Sequence, residues 1–267
     1  MPRRRGPRPV AANASTVRFG QRASHVKRTA LAYQILFGLC LPEPDLMLAA
    51  SLHNVHECGE RQCLFEHLDL LSLDDLLLLD PGYPCRWLVA VLNDRAIKFC
   101  MRIDNTRSFA RVHQFIRSNA LEHIVMLPAP NKRDALDYEC PRKTQRGRLV
   151  RNVSPSGEQR VLMSKLFDDA LYPADCFAEL YHKRWGTEEA FKRLKHRLNL
   201  EHVTGLSQQA VAQDVAAKIV CDNLQVLVAL TARADADPPG SQRVNHAYAH
   251  SALKPLMPIL LLGGKDR

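Results

Sequence analysis

Residues 74–103 read DDLLLLDPGYPCRWLVAVLNDRAIKFCMRI. Four consecutive leucines, Leu76 to Leu79, run into Asp80 and a Pro81–Gly82 turn signal. A short continuous apolar run between turn signals fits a parallel strand buried on both faces. CRWLVAVLNDR then reads as a helix and AIKFCMRI as a further strand. This strand–helix–strand order predicts an α/β sheet with helices covering it.

The same pattern continues on both sides. Upstream, RTALAYQILFGLC and DLMLAASL read as strands, and ERQCLFEHLDLL places Cys63, Leu64, His67, Leu68 and Leu71 on one side of a helix. Downstream, residues 106–165 hold strand and turn patterns with the basic loop PRKTQRGRLVR, in which residues 142–151 carry five basic residues and no acid. Helical pattern dominates from Pro173 to about Arg233, ADADPPGSQR reads as a loop, and the chain from Val244 reads as helical. There is no internal repeat.

The 267 residues are 46% apolar and carry a formal charge of +9. That excess is local. Residues 1–42 contain eight Lys or Arg and no Asp or Glu, while the rest of the chain has 29 basic and 28 acidic residues. The first 20 residues are therefore expected to form a basic disordered arm able to follow a phosphate backbone. With the apolar run that follows, the arm mimics a secretory signal, but Gln34 interrupts the run and no small-residue cleavage site follows. No apolar stretch reaches the ~18–20 residues needed to span a bilayer, so no membrane partner is expected. The eight cysteines are scattered without a disulfide framework, as in a reducing cytoplasm. His53, His56, Cys58 and Cys63 have zinc-ligand chemistry, but the expectation is incidental His and Cys on a loop and helix start.

The chemistry is concentrated in YHKRWGTEEAFKRLK, residues 181–195. On a helix, Tyr181, Arg184, Glu188 and Lys195 return to nearly one direction and form a polar line beside the apolar stripe of Leu180, Phe191, Leu194 and Leu198. A surface ion-pair network would use such a line. So would a cleft that holds a metal ion and a phosphate: Glu takes the cation, Arg grips phosphate as a fork, Lys adds a point charge and Tyr donates a hydrogen bond.

These four residues match the Y-x2-R-x3-E-x6-K signature, and the chain resembles the bacterial DDE transposases of the insertion-sequence family numbered four. LLLLDPGYP resembles the second acidic motif of that family, and YPADCFAELYHKRWGTEEAFKRLKHRLNLEHVTGLS resembles its C-terminal acidic block. AVAQDVAAKIVCDNL and VNHAYAHSALK resemble the helices that follow, so the likeness extends from about Arg22 to Pro258. The resemblance implies an α/β, ribonuclease-H-like (retroviral-integrase-like) mixed sheet with flanking helices. It also implies a catalytic domain over 21–267, with a β-rich insertion at 106–165. Asp80 and Glu188 become catalytic metal ligands, and Tyr181, Arg184 and Lys195 become DNA-binding residues. The implied cofactor is Mg²⁺, with Mn²⁺ as substitute. The implied partner is double-stranded DNA at transposon inverted-repeat ends, with a homodimer in a synaptic complex as the expected assembly, and the implied location is the bacterial cytoplasm at the nucleoid.

Two departures stand out. Pro81 replaces the Arg that usually follows the motif Asp. The first catalytic Asp is missing: no Asp precedes Asp45, and NASTVR would put the neutral Asn13 in its place. The expectation is an N-terminally truncated or degenerate transposase whose central strand is absent or makeshift and whose strand cleavage is impaired. The alternatives are a non-catalytic DNA-binding remnant and a hydrolytic nuclease of the same fold.

Overall fold

The computed structural model describes residues 7–18, 33–103, 109–153, 157–203, 207–236 and 245–262. One eight-stranded sheet organises them. In chain order its strands are β1 (Arg8–Arg18), β2 (Tyr33–Leu41), β3 (Leu46–Asn54), β4 (Asp75–Leu79), β5 (Lys98–Arg102), β6 (Glu122–Leu127), β7 (Gln145–Val153) and β8 (Gln159–Ser164). In space the order is β3-β2-β1-β4-β5-β8-β7-β6. β1, β4 and β5 run parallel, and the remaining pairs are antiparallel.

The leucine run behaves as its pattern predicts. Leu77 and Leu79 face one side with Val10, Ala12, Phe37 and Phe99, under α1 (Glu60–Glu66), α2 (Arg86–Asp94) and α3 (Ala110–Arg117). Leu76 and Leu78 face the other side with Ala11 and Cys100, under Phe177 and Tyr181 of α5 (Cys176–His182). Beside them, Val17, Leu36 and Met47 pack on α6 (Trp185–His196) and α7 (Gln208–Ala236). A strand covered by helices on both faces has no solvent side, so its pattern is continuous rather than alternating. The remaining helices are α4 (Lys132–Asp137), α8 (His246–Leu253) and α9 (Met257–Leu262).

Three expectations change. Residues 8–18, placed by composition in a disordered arm, form β1 at the middle of the sheet, with Val10, Ala11, Ala12 and Val17 fully buried. The central strand is present, and its small residues are buried by β2, β4 and the two helical layers. Residues 1–6, 19 and 20 of that expected arm lie outside the described residues. Within segment 106–165, β8 pairs with β5, so its strands extend the same sheet. The expected single helix over 181–195 breaks at Lys183–Arg184. There the bonds tighten to three-residue steps, from Arg184 N–H to Tyr181 O (3.1 Å) and from Thr187 N–H to Arg184 O (3.0 Å). Finally, α7 is 29 residues long and apolar enough to cross a membrane by length and composition, where the sequence reading expects no such stretch. It also carries Asn223, whose amide brackets the Met47 backbone with two hydrogen bonds of 2.9 Å and so closes the edge strand β3.

Candidate active site and nucleic-acid interface

The C-terminal ends of β1 and β4 lie side by side. Their register pairs Arg8 with Asp75 and Ala11 with Leu78, so two further residues along both strands bring Asn13 beside Asp80. Side chains alternate between the faces of a strand. Asn13 therefore shares the face of Ala11, and Asp80 that of Leu76 and Leu78, which is the face covered by α5 and α6. On β2, the partner of Asn13 is Gly38, where a Cβ would stand 3.2 Å from the Phe191 ring. The missing side chain lets α6 lie close over this end of the sheet.

Asp80 is half-buried, and its Oδ1 accepts the Gly82 N–H at 2.8 Å, a tight side-chain turn that fixes the carboxylate at the strand end. Tyr181 is 6% exposed and donates its hydroxyl to the Leu79 carbonyl at 3.1 Å. Burial pushes the Tyr181 phenol well up and keeps it a neutral donor. Arg184 donates to the Glu188 carboxylate at 2.5 Å, and its guanidinium lies within the field of Asp80 as well. Lys195 reaches back to β1 and donates to Ser15 Oγ at 2.7 Å, two residues beyond Asn13 and on the same face.

Arg184 pairs with Glu188 and lies within the field of Asp80, and Lys195 of α6 reaches β1 at Ser15. Asp80 and Glu188 share the influence of one guanidinium, and Lys195 stands on the other strand. Tyr181, expected to hold a phosphate, instead anchors the β4 end from within the core. Arg193, on the same helix, is the residue that bridges the interior: it pairs with Asp222 at 3.2 Å and with Asp45 at 3.5 Å. A cleft of about 530 Å³ lined by Pro42, Trp185, Gly186, Arg193 and Arg233 contains neither Asp80 nor Glu188.

Sequence reasoning missed two residues of α1. Arg61 Nε donates to the Gly82 carbonyl at 2.9 Å and the Tyr83 carbonyl at 3.0 Å, clasping the loop after Asp80. Glu60 flanks Gly82 opposite Asp80: a Cβ on that glycine would stand 3.4 Å from Glu60 Oε2 and 3.1 Å from Asp80 Oδ1. Burial, with the charge of Asp80, pushes the Glu60 carboxyl up. Nothing local marked either residue, because their partners lie some twenty positions downstream.

Residues 46–224, well over half of the chain, match the family model described as a transposase DDE domain. The chain belongs to that family. The match takes in Asp80, Tyr181, Arg184, Glu188 and Lys195, and it begins beyond Asn13. DDE transposases generally use divalent metal ions. Solved structures similar to this DDE domain include a piggyBac transposase in a synaptic complex with hairpin DNA, at a TM-score of 0.52 and 11% identity. The likeness covers 93% of this chain and 52% of that one, so the DDE domain described here spans about half the length of that chain. At this identity the likeness is one of fold, and the fold is ribonuclease-H-like. A search of curated proteins finds no match.

Proposed function

We propose that this chain is the catalytic domain of an insertion-sequence DNA transposase of the Y-R-E-K signature group, and that its strand cleavage and transfer are impaired at Asn13. The observation that carries this reading is the convergence of Asp80, Glu188, Arg184 and Lys195 on the paired ends of β1 and β4.

The donor set fits a hard cation. Asp80 and Glu188 offer carboxylate oxygens and Asn13 a carbonyl oxygen, the ligand type of Mg²⁺ and Mn²⁺. A bound ion of this kind stabilises the attacking and leaving oxygens of a phosphodiester displacement. Asp80 is held ready by its Gly82 bond, and Tyr181 fixes the strand end behind it. Glu188 is matched by Arg184, which must turn toward DNA phosphate if Glu188 is to serve a cation. Lys195 supplies a second positive group for the phosphate backbone. The deficit is electrostatic: with Glu188 neutralised by Arg184 and an amide at position 13, Asp80 is the one carboxylate of the expected set whose charge is left to the cation.

The partner in this reading is double-stranded DNA at inverted-repeat ends, engaged by two copies of the protein in a synaptic complex at the nucleoid. The neutral Asn13 also favours the second reading, a DNA-binding remnant without cleavage activity. One experiment separates the two. The protein, Asn13→Asp and the Asn13→Asp, Glu188→Ala double variant are assayed on DNA carrying the element's own ends, in Mg²⁺ and in Mn²⁺. Asn13→Asp is expected to raise nicking at least about tenfold, the equivalent of ~1.4 kcal/mol off the barrier, and Glu188→Ala to remove the gain. A variant that binds DNA yet cleaves no better leaves the remnant reading.

A further inference from the structure

Three of the four side chains expected to be incidental meet in space. His53 ends near the close of β3, Cys58 lies in the following turn and Cys63 sits in α1. One nitrogen of His53 and the sulfurs of Cys58 and Cys63 all lie within 4.8 Å of one another. We infer that His53, Cys58 and Cys63 bind a thiophilic divalent cation, by chemistry Zn²⁺, that pins α1 to the end of β3.

The ligand types are those zinc prefers, and the geometry is close to what zinc needs. The two sulfurs stand 2.9 Å apart. Two thiolates about 2.3 Å from a tetrahedral ion lie roughly 3.8 Å apart, so less than an ångström of opening admits the ion. The ring of His53 is already oriented, with Nε2 2.6 Å from Ser51 Oγ on the same face of β3. A hydroxyl that accepts from Nε2 leaves the lone pair on Nδ1, and an outer hydrogen bond of this kind sets the tautomer of a ligating imidazole. Cys63 is buried, while Cys58 and His53 are half-buried, which leaves one side open to a fourth ligand such as water. On binding, each thiol passes its proton to the buffer and gives a sulfur lone pair to the cation, so no oxidant or reductant is involved.

A Cys58–Cys63 disulfide is the competing chemistry. It would require the sulfurs to close to about 2.05 Å and would leave His53 without a part. The sequence spacing concealed the trio because its ligands come from a strand, a turn and a helix. The site is separate from Asp80 and Glu188, although α1 also carries Arg61, which clasps the loop after Asp80.

The test uses the full chain, purified under reducing, metal-free conditions and titrated with Co²⁺ as a spectroscopic probe and then with Zn²⁺. One equivalent of Co²⁺ is expected to produce a thiolate-to-cobalt charge-transfer band that Zn²⁺ displaces. The band should be lost in Cys58→Ser, weakened in His53→Ala and kept in Glu188→Ala, which separates this site from the carboxylate one. Zn²⁺ should also raise the melting temperature of the unmodified protein and not that of Cys58→Ser. No charge-transfer band in the unmodified protein overturns the inference. So does a band unchanged in both Cys58→Ser and His53→Ala, or a Cys58–Cys63 disulfide found by mass in the reduced preparation.

Discussion

Asp75 opens β4 with a side chain that is fully buried, and Arg8 Nε opens β1 with a donation to its Oδ1 at 2.6 Å. The Ser72 N–H adds a second donor at 2.8 Å. Burial opposes ionisation of Asp75, but the hydrogen bonds from Arg8 and Ser72 outweigh it and hold the carboxyl below the ordinary aspartate range. A depressed carboxyl stabilises the fold above its unfolded pKa of about 3.9, and that stabilisation is lost as pH falls through the folded pKa. Asp75→Asn is therefore expected to cost about 1–3 kcal/mol at pH 7, with the gap from the unmodified protein closing below about pH 4. Denaturant unfolding at pH 7 and pH 3 checks this; an equal gap at both would remove Asp75 as the group responsible. The bond matters beyond stability, because the register it locks is the one that brings Asn13 beside Asp80.

At the scale of the element, the join between α5 and α6 is set by a close approach. Gly186, in the first turn of α6, lies against the turn between β2 and β3, where a Cβ would meet the Pro42 carbonyl oxygen at 3.0 Å and its Cα at 3.2 Å. Both atoms are backbone and cannot step aside as a side chain can. Alanine is the better helix former by about 1 kcal/mol, yet the overpacking is worth about 1–3 kcal/mol in the other direction. Gly186→Ala is thus expected to destabilise by ~1 kcal/mol, read by thermal or chemical unfolding. A more stable Gly186→Ala would show that helix propensity governs this turn and that the contact with Pro42 does not.

Across the whole molecule, charge placement matters more than net charge. The basic run at 142–151 looks like a phosphate track in the sequence, but two of its members are structural. Arg148 is buried, pairs with Glu122 and donates to the Leu166 and Tyr172 carbonyls. Arg151 closes the end of α3 through the Phe115 and Ser118 carbonyls. Arg142, Lys143 and Arg146 remain exposed, and Lys195 stands at the strand end. If Lys195 meets phosphate, Lys195→Glu should weaken DNA binding across sequences and lower the slope of log K against log salt by about 1. Filter or anisotropy titrations over a salt series measure it, and an unchanged slope counts against the contact.

The sequence by itself determined the strand–helix–strand core, because a four-leucine run can be satisfied only between two covering layers. It also determined that Arg184 and Glu188 face one another, since a four-residue step along the chain is a local property. Tertiary structure decided the rest. β1 was hidden because Ala11, Ala12 and Ala14 have little strand character of their own, and the arginines around them dominate the local composition; burial between β2 and β4 makes them a strand. The role of Tyr181 was hidden because its partner, the Leu79 carbonyl, lies 102 positions away. The meeting of Asp80 with Arg184, of Lys195 with Ser15, and of His53 with Cys58 and Cys63 rests on the same cause: local periodicity fixes direction within an element, and only the packing of elements fixes which directions converge.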